Sequence, residues 1–176
     1  MVFWSRQKKM KTLVVKYSSM IFTIRPVYTS KLHGLHNRTE DNSMSFDQKS
    51  LDDLAIKYTE AWNSKVPENV AACHVSSSRI TINRGEPSVG HDELTAMAAG
   101  FHSDVPDLVL QNDGIRSAGN HVVFLWTFTG HHAETGNPLN VSGWEEWELD
   151  DDMKITSSLG WFDADSYQRQ VDDAGS

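Results

Sequence analysis

The feature that most constrains this chain is a change of hydrophobic period at Pro106. Before it, apolar residues recur at the spacing of amphipathic helices; after it, they fall in short β-rich runs broken by turn clusters. Ser50-Leu51-Asp52-Asp53 supplies a capping hydroxyl and two acids, and Leu51, Leu54, Ala55, Tyr58, Ala61 and Trp62 then share one face of a helix expected to end near Asn63. Pro67 suits the first position of a second, short helix running to Cys73. Arg79 to Asn83 alternates as a half-buried strand, and Gly85, Pro87 and Gly90 punctuate a loop. A third helix follows, with Leu94, Met97, Ala98 and Phe101 on one face.

Beyond Pro106 the runs Leu108 to Arg116, His121 to Thr129, Val141 to Leu149 and Ile155 to Asp163 predict four strands. The turns between them are short, so consecutive strands should pair antiparallel, and helices placed before strands imply an α+β layer fold.

The formal charge of -8 conceals two regions of opposite sign. Residues 1 to 43 hold eight Lys/Arg against Glu40 and Asp41, a net +6, while the remainder holds eight basic residues against 22 acids, a net -14. So acidic a body disfavours nucleic-acid binding. Residues 1–45 form a basic extension, read either as a mitochondrial-type targeting segment or as a disordered extension without function. The domain is expected over 46–171, with a tail at 172–176. Lys16 interrupts the apolar run from Thr12 to Ile24, which is too short for stable membrane insertion as a helix. The expected location is the cytoplasm, or mitochondria or another organelle if the basic segment is a genuine address. Cys73 is the lone cysteine, and no pair of His residues stands at i and i+4, so neither a disulfide nor a metal site is expected.

Several strings in order resemble the SnoaL-like polyketide cyclase family of the nuclear transport factor 2-like superfamily. They are Tyr58-Thr59-Glu60-Ala61-Trp62-Asn63, Phe101-His102-Ser103-Asp104-Val105-Pro106-Asp107-Leu108 and Trp126-Thr127-Phe128-Thr129-Gly130, followed by Gly143-Trp144-Glu145-Glu146-Trp147-Glu148-Leu149 and Gly160-Trp161-Phe162-Asp163 with Tyr167-Gln168-Arg169-Gln170. The resemblance implies a cone-shaped fold, a curved, mostly antiparallel sheet packed on about three helices around one apolar pocket. It also implies cofactor-independent chemistry of isomerase, cyclase or dehydratase type, or a binding module with no chemistry, because one fold carries many functions. Homodimers through the outer sheet face, here Leu125, Thr127 and Thr129, are implied as well.

Glu145 alternates with Trp147 and Leu149, which predicts an inward carboxyl whose pKa is raised among aromatics, as a general acid or base requires. The competing reading makes it a structural acid, paired with Arg79 or Arg116 or bonded to a Trp N–H. Tyr58 is its candidate polar partner, with a plain core tyrosine as the alternative. Trp62, Phe101, Trp126, Phe128, Trp147 and Trp161 are candidate walls of a pocket for a small apolar metabolite, and His102 is a candidate for its mouth. Asn83, a further candidate at the pocket, stands where related enzymes often carry an aspartate base, and Gly160 where one alignment of the last strand puts the cyclase's own. Neither can move a proton, which argues against both inherited mechanisms.

Overall fold

The computed structural model describes residues 46–173, so the targeting or extension readings of residues 1–45 fall outside the described residues. Helix α1 spans Gln48–Asn63 and buries Leu51, Leu54, Ala55, Tyr58, Ala61 and Trp62. Its cap is Asp47 and not Ser50: the Asp47 carboxylate accepts from the Ser50 backbone N–H at 3.0 Å and from its hydroxyl at 2.7 Å. The short helix α2 (Pro67–Ala71) has its proline in the first turn, where no N–H is needed. Strand β1 (His74–Ile82) begins five residues earlier than expected, and the supposed loop contains a two-residue strand, β2 (Ser88–Val89). Helix α3 (Gly90–Asp104) precedes the long strands β3 (Val109–Ala118), β4 (His121–His131), β5 (Pro138–Leu149) and β6 (Ile155–Phe162). A fourth helix, α4 (Ala164–Asp172), follows and is capped by Asp163, which accepts from the Ser166 N–H at 2.8 Å.

The six strands lie in the order β2-β1-β6-β5-β4-β3. All neighbours are antiparallel except β1 and β6, which run parallel. The cone-shaped curved sheet implied by the resemblance does not form. Among the described residues the order is linear, the sheet is open, and β2 and β3 are its edges; the two residues of β2 offer too little ladder to close against the ten of β3. The α+β class stands, with a mixed sheet.

One face of this sheet carries the core. Leu110, Ile115, Phe124, Trp126, Phe128, Val141, Trp147 and Leu149 are buried on it, with the apolar face of α1 packed against them. The other face presents Val109, Leu125, Trp144 and Leu159 to solvent. Leu125 and Thr129 are exposed and Thr127 is half-buried, its hydroxyl tied to Asp113 and Ser142.

Candidate functional site

Strand β5 alternates without interruption from Val141 onward, and this turns Glu145 inward between Gly143 and Trp147. The carboxyl is buried, and every hydrogen bond it accepts comes from a neutral donor. The Tyr58 hydroxyl lies 3.1 Å from both oxygens, while Trp147 Nε1 donates to Oε2 at 2.9 Å and Ser158 Oγ donates to Oε2 at 2.6 Å. Arg79 and Arg116 are exposed on the far face of the sheet, so the ion-pair reading is not what forms. The bond to a Trp N–H does form.

Burial raises the Glu145 pKa, and the bonds from Ser158, Trp147 and Tyr58 partly oppose it. Tyr58 is pushed well above the usual phenol value by its own burial and then by the adjacent carboxylate. Oε2 receives three donors and Oε1 only the shared Tyr58 hydroxyl, so Oε1 is the oxygen better placed to take a proton.

Glu145 forms part of the wall of an apolar cavity of about 50 Å³. Trp62 from α1, Phe101 and Met97 from α3, Trp126 and Phe128 from β4 and Phe162 from β6 complete most of the enclosure. The volume is well below the roughly 150 Å³ of a dry cavity that admits benzene, so a ring-bearing ligand requires its walls to move. Met97, Phe101 and Phe162 are the partly buried aromatic and thioether members of that wall. Gly160 faces Glu145 across the β5–β6 pair, and a Cβ there would lie 3.6 Å from Ile82 and 3.7 Å from the Glu145 Cγ. The missing side chain therefore leaves space beside the carboxyl.

Gly143 is required by the packing of Trp126. A Cβ at this position would lie 2.5 Å and 2.6 Å from indole Cζ2 and Cη2 and would collide with the Trp161 carbonyl oxygen. The indole thus lies over bare backbone, stacked on Phe128 at 6.0 Å between centroids. Its Nε1 is buried and has no acceptor among the described residues. Such a donor costs about 1–3 kcal/mol when left unmatched.

The remaining predicted residues are distributed more widely. Trp147 is fully buried, stacked on Phe124 at 4.9 Å, and reaches the site through its bond to Glu145. Trp161, expected on the cavity wall, lies on the opposite face of the sheet, stacked on Trp144 at 6.3 Å and covered by the Arg84 guanidinium at 5.4 Å. Asn83 does not border the cavity; its side-chain oxygen accepts from the Phe162 N–H at 3.0 Å and fastens β1 to β6. His102 Nε2 lies 3.0 Å from the Trp62 carbonyl, so that nitrogen carries the proton, and burial lowers the ring's pKa. It braces Trp62 from behind and is not among the residues lining the cavity. Ser158 was legible as an inward polar residue only with the register of β6 in hand. Among the described residues no group of three or more His, Cys, Asp or Glu is placed to hold a metal ion, and no helix is long and apolar enough to cross a membrane.

An α+β chain whose helices cover one face of a mixed sheet, with an apolar pocket between them, is of the nuclear transport factor 2-like class. Within that class the chain belongs to the SnoaL-like domain family, whose profile matches residues 55–158. Solved structures agree. A hypothetical protein with a ketosteroid isomerase-like fold from Catenulispora acidiphila, in complex with trimethylamine, is 16% identical over 68% of this chain and 92% of its own, with a TM-score of 0.63. TsrD from Streptomyces laurentii is 21% identical over 73% and 98%, with a TM-score of 0.64. A nuclear transport factor 2-like protein of unknown function from Burkholderia pseudomallei is 18% identical over 69% and 96%, with a TM-score of 0.61. At these identities the likeness is one of fold. No curated protein matches the sequence.

Proposed function

We propose that the pocket binds a small apolar metabolite and that Glu145 performs acid-base chemistry on it without a cofactor, with Tyr58 as the residue that orients the carboxyl. The observation that carries this reading is a buried carboxyl of a residue lining an apolar cavity, held by three neutral donors and, among the described residues, by no cation. Desolvation without a counter-charge is the arrangement that brings a carboxyl toward neutral pH, where it can both give and take a proton. Tyr58, with its own proton firmly retained, serves as a donor and not as a second base.

A second reading, a ligand-binding module without chemistry, is favoured by the three donors crowded on Oε2 and by Asn83 and Gly160, which supply no second proton carrier. One experiment separates the two. Small neutral compounds are screened by thermal shift, since a ligand stabilises the folded state by mass action. Each hit is then incubated with the protein in D2O and examined by mass spectrometry. Deuterium incorporation or rearrangement that disappears in Glu145→Gln, with binding retained, is the expected result. Binding without any chemical change across the hits would select the module.

A further inference from the structure

Gly143 and Gly160 both lie on the inward face of the sheet, yet only the first is demanded by the fold. At Gly143 a Cβ would collide with the Trp161 carbonyl and the Trp126 ring. At Gly160 neither packing nor backbone requires glycine. Its φ lies outside the left-handed region that Gly90 (φ 78°) and Gly114 (φ 145°) occupy. A Cβ there would meet only two heavy atoms within 4 Å, Ile82 Cγ1 at 3.6 Å and Glu145 Cγ at 3.7 Å, and both are ordinary contacts. Yet Gly160 is buried within β6, on the inward side with Ser158 and Phe162, where glycine weakens a strand relative to alanine. Across β1, β6, β5 and β4 the inward row runs Ile82, Gly160, Glu145 and Phe124, three side chains and one gap. Ile82, Gly160 and Glu145 all line the cavity, so the gap belongs to its wall.

We infer that Gly160 is the specificity-determining residue of this pocket, its bare Cα forming a subsite for a methyl-sized apolar branch of the ligand. This rests on the pocket being a ligand site, as proposed above. The chemistry of the subsite follows from the atoms that border it. Both are saturated carbons, Ile82 Cγ1 and Glu145 Cγ, so a hydrocarbon branch fits and a polar one would lose its hydration without a partner. The subsite constrains that branch alone, not the charge of the rest of the ligand. A glycine that the fold does not need, kept where it weakens a strand and leaves a void, matches a site built at some cost to stability. Alanine would fill the gap and restrict the unfolded chain, so it should stabilise the protein while narrowing the range of ligands.

The test compares the natural full chain with Gly160→Ala in two measurements. In thermal melts the variant should gain about 2–4 °C, the scale of alanine's advantage over glycine within a strand. Binding is measured with propane and isobutane, which differ by one methyl branch, dissolved under pressure. It is read by NMR from the methionine methyl signals, with that of Met97, which lines the cavity, identified by its loss in Met97→Leu. The natural protein should bind both gases. Gly160→Ala should weaken isobutane about tenfold and propane by less than about twofold, the discrimination expected of one methyl group in an apolar pocket. A lower melting temperature for the variant would show that the fold requires the glycine, and equal effects on the two gases would show that the branch lies elsewhere. Either result overturns the inference and leaves the pocket reading standing. If neither gas binds the natural protein, the pocket reading fails and the inference falls with it.

Discussion

Replacing Glu145 by Gln removes one titrating proton and nearly preserves the shape of the side chain. An amide oxygen in the place of Oε2 keeps the bonds from Trp147 and Ser158, while the amide nitrogen faces a Tyr58 hydroxyl that must turn to accept. The disturbance is about one rearranged neutral hydrogen bond, roughly 0.5–1.5 kcal/mol, and relief of a desolvated charge opposes it. Removing half of a buried ion pair would instead cost about 3–5 kcal/mol. The effect of pH has a definite sign. Burial holds the folded pKa of Glu145 above its ordinary 4.5, so between the two values the folded state binds more protons than the unfolded one. Its contribution is present in full below about pH 4.5 and is lost as pH rises through the folded value, by about 1.4 kcal/mol for each tenfold ratio in proton affinity. Gln has no such dependence. The variant should therefore gain on the natural protein as pH rises from 4 and level off above the folded pKa. Urea melts of both proteins from pH 4 to 8, compared as differences, measure this. A difference that stays flat, or a loss of about 3–5 kcal/mol at neutral pH, would refute the account of Glu145 as an unpaired buried acid.

Gly143→Ala should lower stability by about 1–3 kcal/mol in thermal melts, because its Cβ meets the Trp161 backbone carbonyl and the Trp126 ring. Gly160→Ala, with contacts of 3.6 and 3.7 Å, should fold normally and weaken ligand binding by occupying the space beside Glu145. Exposed Val109, Leu125, Trp144 and Leu159 on one sheet face suit a homodimer, and Leu125→Arg should yield monomers in sedimentation; a natural protein that is already monomeric would remove that interface. A chain beginning at Met44 should melt at the temperature of the full protein, and a large loss on truncation would move the domain boundary upstream.

What could be read in advance follows from where the strands keep their alternation. Along β5 it is unbroken through the site, so Glu145, Trp147 and Leu149 could be assigned to one face from sequence alone. Helix α1 likewise declared its buried face through Leu51, Leu54, Tyr58 and Trp62, because 3.6-residue spacing survives over sixteen residues. The closing helix α4 is short and mostly polar, with Val171 its one buried residue, so it lacked that signal. The cone was inherited from a resemblance and had no support in the residues of β2.

Strand β6 failed for a different reason. Its apolar residues alternate as Ile155, Leu159 and Trp161, which would put Trp161 on the inner face with Ile155. The pairing skips a residue: Leu149 stands opposite Ile155, but Glu148 stands opposite Ser157, leaving Thr156 as a bulge. One extra residue reverses the parity of everything after it. Leu159 and Trp161 turn outward, and Ser158, Gly160 and Phe162 turn in. Each then has a consequence at the site. Ser158 reaches Oε2 at 2.6 Å, Gly160 leaves room beside the carboxyl, and Phe162 closes the wall against Trp126. Had the alternation held, Glu145 would have faced Leu159 or Trp161, and a bulky apolar side chain would stand where the cavity and the Ser158 hydroxyl now are. The bulge thus gives Glu145 both a hydrogen-bond donor and open space from the same strand, and only the pairing of β5 with β6 reveals it.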